Sequence, residues 1–125
     1  MKQEFLAKAK ENLAVAELSY ENGYYNASAN RAYYAIFQAA IAALVNVGIT
    51  ANVRKSHSMT QANFAAELIR KRKIYPNHLK SYLMDLLATR EDADYELTFV
   101  SKKVASRQLK KAQEFVHTIA SEIEK

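Results

Sequence analysis

The sequence AYYAIFQAAIAALVNVGITANV occupies residues 32–53 and contains no charged side chain. A stretch of this length is long enough to cross a lipid bilayer as a helix. It is interrupted by polar side chains such as Gln38 and Asn46, however, and its longest apolar run covers only residues 39–45. Alanine, its commonest residue, adds little to membrane insertion. The stretch therefore predicts a central helix that is surrounded by the other helices of a bundle, and not a membrane span.

The composition of the whole chain favours the same fold class. Its 125 residues are enough for one domain with a real core, covering 1–125, and too few for two. Half of the residues are hydrophobic and only two glycines and one proline are present, so helices are favoured over strands and long loops. The lack of cysteine excludes disulfides and thiolate zinc sites. Because the first residues also look like a helix start and not a signal peptide, we expect a cytoplasmic protein.

Apolar spacing predicts a single antiparallel bundle of about five helices. The first two cover residues 3–22 and 25–47, and they end at Gly23 and Gly48. Five positions of the first helix are expected to form one apolar seam: Leu6, Ala9, Leu13, Ala16 and Tyr20.

The second half of the chain predicts three further helices. A capping box at Ser58–Gln61 is expected to start the third, after a loop that contains His57. Pro76 is expected in the first turn of the fourth, which Tyr95 closes, and Ser101 is expected to cap the fifth. The positions expected to face the core are Met59, Ala62, Ala66 and Ile69 in the third helix, Leu79, Leu83 and Leu86 in the fourth, and Leu109, Ala112, Val116, Ile119 and Ile123 in the fifth.

The net charge of +5 is concentrated in the middle of the chain. Residues 51–80 contain seven basic side chains and one acidic one, whereas the flanking parts are nearly balanced. The densest part, which we call the basic run, consists of Arg70, Lys71, Arg72 and Lys73. Such a patch raises the local concentration of anions, including nucleic acid. It is equally typical of a solvated helix end, where cations complement the helix dipole.

A polar face is predicted on the fourth helix, where Arg90, Asp94 and Tyr95 lie on or near one side. Arg31 and Tyr34 share a side of the second helix in the same way. Arginines, a carboxylate and tyrosines at these spacings can form a cleft that binds phosphate. An Arg90–Asp94 pair also has an ordinary interpretation, since such a pair stabilises any helix by roughly 0.2–0.5 kcal/mol, and the tyrosines can equally be packing residues.

Arg31 is the only charged residue between Gly23 and Val53. An arginine in an apolar helix is seldom buried without an acidic partner or a ligand. We therefore expect the second and fourth helices to lie side by side, with Arg31 within salt-bridge distance of Asp92 or Asp94.

Three motifs together resemble the HEPN family of small all-helical domains. They are RAYYAIF at 31–37, Ser56-His57, and REDADY at 90–95, in the family's order and spacing over nearly the whole chain. The pattern looks closest to a compact branch with an R-x-x-A-D-Y motif. The resemblance implies a nucleotide- or RNA-binding cleft with the candidate residues Arg31, Tyr34, His57, Arg90, Asp94 and Tyr95. A lone histidine before a helix, as His57 is expected to be, is more often a local hydrogen-bonding group than a catalytic residue.

Active members of the HEPN family are metal-independent ribonucleases that use an arginine and, further along the same helix, a histidine. The arginine binds the phosphate and the histidine transfers the proton of the attacking ribose hydroxyl. In this chain Tyr95 follows Arg90 at that position, and a tyrosine with a pKa of about 10 is a poor base near neutral pH. Arg72 and His78 also match the spacing, but Pro76 should place them on different elements. The catalytic residues stay open, with Arg90, Tyr95 and His57 as candidates.

The resemblance implies a homodimeric module that binds nucleotide or RNA and acts with a minimal nucleotidyltransferase encoded nearby, in a toxin–antitoxin or defence system. The alternatives are a ribonuclease toxin with a variant Arg/Tyr site and a structural bundle without ligand. His78 and His117 have no partners at metal-ligand spacing, and His117 is expected to point to solvent. We expect neither a metal nor a cofactor.

Overall fold

A computed structural model of the chain describes residues 1–50 and 56–125. Within these residues the chain forms helices and no strand. The elements are α1 (Lys2–Glu21), α2 (Tyr25–Asn46), α3 (His57–Asn63), π1 (Phe64–Lys71), α4 (His78–Tyr95) and α5 (Lys102–Ile123). The segment π1 continues α3 with the wider hydrogen-bond spacing of a π-helix. The prediction of an all-α bundle with about five helices is confirmed.

The helix α2 lies in the centre of the bundle and packs against α1, α4 and α5. Residues 39–44 are all buried. Because a helical turn takes about 3.6 residues, six buried residues in succession mean that every side of this half of α2 is covered. A charged group there would lose its hydration, which accounts for the absence of charged side chains from residues 39–44. In the described part of the chain, no helix has both the length and the apolarity to span a membrane.

The connection between α1 and α2 reverses the chain direction. Gly23 adopts a φ of 79°, in the left-handed region that glycine favours. Lys2 Nζ, at the start of α1, donates a hydrogen bond to Asn46 Oδ1, at the end of α2, over 2.9 Å. The pair is therefore antiparallel, as predicted. The predicted seam of α1 faces the core, with Leu6, Ala9 and Ala16 buried and Leu13 and Tyr20 partly buried.

The helices α4 and α5 follow the predicted apolar pattern. All eight predicted core positions in them are buried, and Ser101 Oγ accepts a hydrogen bond from the Val104 amide over 3.1 Å, as expected of a cap. The start of α4 differs by two residues, because the helix begins at His78 and Pro76 lies before it. The carbonyl of Pro76 accepts from the Leu79 amide over 3.2 Å, so this proline begins the turn that leads into α4.

The predicted start of the third helix is wrong. Ser56, not Ser58, caps α3, since its Oγ accepts a hydrogen bond from the Met59 amide over 3.0 Å. Ser56 has the extended backbone that a capping residue needs. His57 is consequently the first residue of α3 and does not lie in the loop.

The buried face of α3 and π1 also differs from the prediction. Met59 and Ala62 are exposed and Ala66 is only partly buried, whereas Ile69 is buried as expected. The core positions are instead occupied by Thr60, Phe64, Ala65 and Leu68. Bulky Phe64 and Leu68 bury more apolar area than the alanines, and the wider turn of π1 places Ile69 on the same side.

Candidate functional site

A network of polar side chains joins α2 to α4. Asn30 Nδ2 donates hydrogen bonds to both carboxylate oxygens of Asp94, at 3.0 and 3.1 Å. Asn30 Oδ1 faces the other way and accepts from Nε and Nη2 of Arg31, at 2.9 and 2.5 Å. A single amide therefore connects a guanidinium on one side to a carboxylate on the other.

Arg31 does not form the predicted salt bridge with Asp92 or Asp94. Its partners within residues 1–50 and 56–125 are the amide oxygen of Asn30 and that of Asn12, the latter at 3.2 Å from Nη1. The helices α2 and α4 do lie side by side as predicted, but Asn30 occupies the space between Arg31 and Asp94. The positive charge of Arg31 is thus solvated by two neutral amides and is not neutralised by a carboxylate.

Arg90 forms the predicted ion pair within α4, with 3.2 Å between its Nε and Asp94 Oδ2. Only 11 % of the Arg90 side chain is exposed. Its guanidinium carbon lies 5.8 Å from the ring centre of Tyr33 and 5.6 Å from that of Tyr34. The phenol of Tyr95 raises the pKa of Arg90, and Tyr34 and Asp94 add to this, so the positive charge is stabilised.

The Tyr34 ring has a second cationic neighbour. The guanidinium carbon of Arg31 lies 4.9 Å from its centre, close enough for a cation–π contact. Tyr34 is partly exposed, whereas Tyr33 is fully buried. Tyr95 is 75 % exposed at the end of α4. The predicted residues Arg31, Tyr34, Arg90, Asp94 and Tyr95 are therefore brought together on one surface.

His57 joins this group from α3. Its Nδ1 lies 2.5 Å from the Tyr33 hydroxyl, and its ring contacts those of Phe37 at 4.4 Å and Tyr34 at 6.1 Å between centres. Burial lowers the pKa of His57, and the charge of Arg90 lowers it further. Burial also raises the pKa of Tyr33 to about 12. His57 is thus a neutral imidazole at neutral pH, next to a protonated phenol.

The sequence interpretation missed the roles of Asn30 and Tyr33. Asn30 precedes Arg31 directly and stands four residues before Tyr34, so helical spacing could have placed it on the polar face. For Tyr33, no signal in the sequence indicated that its hydroxyl would meet His57, because the two residues are 24 positions apart.

The basic run is exposed at the end of π1 and is separate from the α2–α4 network. Two of its side chains form long ion pairs with Glu67, Lys71 at 3.7 Å and Arg72 at 3.8 Å. The neighbouring Arg54 and Lys55 lie outside the described residues. Pairing at these distances on a surface contributes little stability, so the run remains available to anions.

Arg72 and His78, which match the ribonuclease spacing in the sequence, lie on different elements, as expected. Arg72 follows π1, whereas His78 begins α4 and lies 2.7 Å from Glu114 of α5. His117 is exposed, as expected. Within the described ranges, no group of three acidic, histidine or cysteine side chains is placed to coordinate a metal ion.

Grooves are present both beside and away from the polar network. One of about 410 Å³ is lined by Val15, Ser19, Asn26, Ala27, Asn30, Arg31 and Asp94. A larger one of about 540 Å³ lies between α1 and α5, around Leu13 and His117. The smaller groove borders the polar network through Asn30, Arg31 and Asp94, so it is the better candidate to extend a binding site at this network, although Arg90 does not line it.

Comparison with known proteins identifies a family for almost the whole chain. The model of the HEPN domain matches residues 3–123. This range includes every residue of the polar network and all the helices except the first residue of α1. A search of the curated proteins found no match.

Proposed function

Because the chain belongs to the HEPN domain family, we propose that it is a nucleotide- or RNA-binding module whose phosphate site is centred on Arg90. Domains of this family are nucleotide- or RNA-related modules and are often ribonucleases. The observation that carries the proposal is the environment of Arg90. The side chain is mostly buried, its Nε is bonded to Asp94, and the phenols of Tyr95 and Tyr34 are further polar neighbours.

A guanidinium with unfilled donor capacity is well suited to phosphate. Arginine presents five N–H donors in a planar fork that matches the oxygens of phosphate. Arg31 adds a second positive charge on the same surface, with both guanidinium groups close to the Tyr34 ring. The exposed ring of Tyr95, next to Arg90, offers a face for a nucleobase. Together these side chains supply the two interactions that a nucleotide needs, one to the phosphate and one to the base.

The test is RNA binding by Arg90→Gln and by the matched control Arg107→Gln, which removes an exposed charge from α5. Fluorescence anisotropy with labelled single-stranded RNA should show a loss of about tenfold or more for Arg90→Gln, because a hydrogen bond to a charged group contributes roughly 1.5–3 kcal/mol. The control should lose far less. Equal losses for the two variants would refute a phosphate site at Arg90.

We further propose a minimal nucleotidyltransferase as the partner, in a toxin–antitoxin or defence system. The support is the resemblance of the motifs 31–37 and 90–95 to the branch of the family associated with such enzymes. A nucleotidyltransferase gene adjacent to this one, and a complex of the two proteins in size-exclusion chromatography, are expected. An adjacent nucleotidyltransferase that fails to bind this chain would contradict the proposal.

A homodimer is part of the same proposal. Large apolar side chains are exposed at one end of the bundle, where Leu97 and Phe99, 100 % and 83 % exposed, lie in the α4–α5 connection and Tyr24 precedes α2. Exposed apolar groups of this size favour association. Light scattering should give twice the chain mass of 14.2 kDa. The mass of a single chain across micromolar concentrations would contradict it.

A second candidate function is a metal-independent ribonuclease with a variant site. It is favoured by the position of His57, which lies near Arg90 although the two residues are on different helices. Purified protein incubated with RNA and EDTA should cleave slowly or not at all. Rapid cleavage that is abolished by Arg90→Ala or Tyr95→Phe would show that the protein is a ribonuclease and not a binding module. If the protein neither bound nor cleaved RNA, the remaining interpretation would be a structural bundle without ligand.

A further inference from the structure

The hydrogen bond between Tyr33 and His57 determines what His57 can do. A neutral imidazole carries one proton, and the partner of one ring nitrogen decides which nitrogen bears it. Here Tyr33 Oη lies 2.5 Å from Nδ1. Within residues 1–50 and 56–125, Nε2 has no hydrogen-bond partner, and the ring is only partly buried. The question is therefore whether the phenol donates its proton to Nδ1 or accepts one from it.

The surroundings of Tyr33 favour donation by the phenol. Burial raises the pKa of Tyr33 to about 12, so the phenol retains its proton at neutral pH. The amide of Gln61 approaches the phenol oxygen and opposes this rise, as an N–H donor does. Gln61 Nε2 is buried and has no fully formed hydrogen bond in the described residues. The buried phenol proton needs an acceptor, and Nδ1 is the one within hydrogen-bond distance in the described residues, so the phenol donates to Nδ1 and the imidazole proton is on Nε2.

We propose that Tyr33 is a positioning residue that keeps His57 in the neutral Nε2–H tautomer, so that His57 offers a hydrogen-bond donor to a phosphate oxygen bound at Arg90. The donor role rests on the proposed function, whereas the tautomer does not. The Tyr33 side chain is held in place by its complete burial and by stacking on Phe37 at 5.9 Å between ring centres. Its hydroxyl therefore cannot turn away from Nδ1 without moving the core.

This tautomer has a chemical consequence. With Nδ1 accepting from Tyr33 and Nε2 carrying the proton, His57 has no free lone pair with which to remove a proton from a ribose hydroxyl. Protonation is also disfavoured, because burial and the charge of Arg90 lower the pKa of His57, while Glu91 of α4 opposes this only in part. His57 is thus a neutral donor and not a general base. The Arg90–His57 pair would bind a phosphodiester without cleaving it.

The tautomer can be read directly by NMR of the free, ¹⁵N-labelled protein. Long-range correlations between ring nitrogens and ring carbon-bound protons distinguish a protonated nitrogen from an unprotonated one. We expect a protonated Nε2 and an unprotonated Nδ1 in the wild type, and a mixture of tautomers in Tyr33→Phe. A protonated Nδ1, or the same mixture in both proteins, would overturn the proposal.

Two isosteric substitutions test the donor role. The amide nitrogen of Gln can take the place of Nε2, and that of Asn the place of Nδ1, so His57→Gln should bind labelled single-stranded RNA within about threefold of wild type. His57→Asn should lose about tenfold, the equivalent of roughly 1.4 kcal/mol. The reverse order, or equal affinities, would overturn the donor role. Circular dichroism of both variants checks that the helices are retained.

The failures of the two proposals can be told apart. A wild type that does not bind RNA removes the proposed function and the donor role together, while the spectrum still decides the tautomer. If RNA binding depends on Arg90 but Nδ1 of His57 is protonated, the proposed function stands and only the tautomer and donor role of His57 are refuted.

Discussion

The two halves of α2 are built on opposite principles although they belong to one continuous helix. In residues 39–44 every side is buried and every side chain is apolar. In residues 30–37 the buried side carries Tyr33, and the other side carries Asn30, Arg31 and Tyr34. The half with residues 39–44 needs only close packing. The half with residues 30–37 needs its polar groups to find specific partners, most of them on the neighbouring helices α1, α3 and α4, since an unpaired buried group costs about 1–3 kcal/mol.

Stability and binding therefore depend on different parts of the same helix. The packed half determines that the helices associate, because apolar burial is non-directional. The polar half determines which side chains meet, because hydrogen bonds require particular atoms at particular distances. A substitution in the packed half (residues 39–44) should therefore alter folding but not binding. One in the polar half (residues 30–37) should alter binding more than folding.

The largest effect is expected for Ile41→Ala in the packed half. Removing a fully buried isoleucine should cost about 2–5 kcal/mol in the free energy of unfolding, through lost burial and a cavity. Urea denaturation followed by circular dichroism measures it, and Val15→Ala on the exposed side of α1 is the control, expected to change stability by less than about 0.5 kcal/mol. Similar losses in the two variants would contradict a central position for α2.

Tyr33 should make the polar half sensitive to alkaline pH. Its pKa is raised to about 12 in the folded protein, whereas in the unfolded chain it is about 10. The unfolded chain releases the proton first, so the stabilisation is complete below about pH 10 and is lost as the pH rises towards 12. Between about pH 9 and about pH 11, the free energy of unfolding should fall by about 1.4 kcal/mol more for the wild type than for Tyr33→Phe.

The control for this prediction is Tyr24→Phe, since Tyr24 is exposed. That variant should follow the wild type across the same pH range. An equal alkaline loss in the wild type and in Tyr33→Phe would mean that the Tyr33 phenol titrates like an exposed one.

Asn30 tests the connection between α2 and α4. The double-mutant cycle of Asn30→Ala with Asp94→Ala should give a coupling of about 0.5–1.5 kcal/mol in unfolding free energy, the usual contribution of a hydrogen bond. Asn63→Ala combined with Asp94→Ala should give no coupling, because Asn63 ends α3 and, in the described part of the chain, its side chain forms no hydrogen bond with this network. Additive losses for the Asn30 pair would show that the bridging amide contributes nothing.

The smallest effect is expected for the basic run, which lies outside both halves of α2. The logarithm of RNA affinity falls with the logarithm of salt concentration by roughly 0.7 per phosphate contact with a single strand. The double variant of Lys71→Ala and Arg72→Ala removes two such contacts, so it should lower the magnitude of this slope by about 1.4. The double variant of Lys102→Ala and Lys103→Ala removes the same charge from the exposed start of α5 and is the control. Equal slopes for the two variants would show that the run makes no phosphate contacts.

Much of the fold could be predicted because it follows from regular apolar spacing and from local capping residues. The seams of α1, α4 and α5, the left-handed turn at Gly23 and the Ser101 cap all depend on residues within a few positions of one another. The third helix could not be predicted in the same way. Ser56 and Ser58 are both plausible caps, and the choice between Met59 and Thr60 for the core depended on contacts with the rest of the bundle.

Periodicity along single segments is enough to predict an all-helical bundle around α2 and to place Arg90 beside Asp94. The position of Asn30 between Arg31 and Asp94, and the contact of Tyr33 with His57, depend instead on how the helices pack. These contacts join residues that are 64 and 24 positions apart. Helical spacing says which side of a helix a residue occupies, but the crossing of two helices decides which atoms lie within 3 Å of each other.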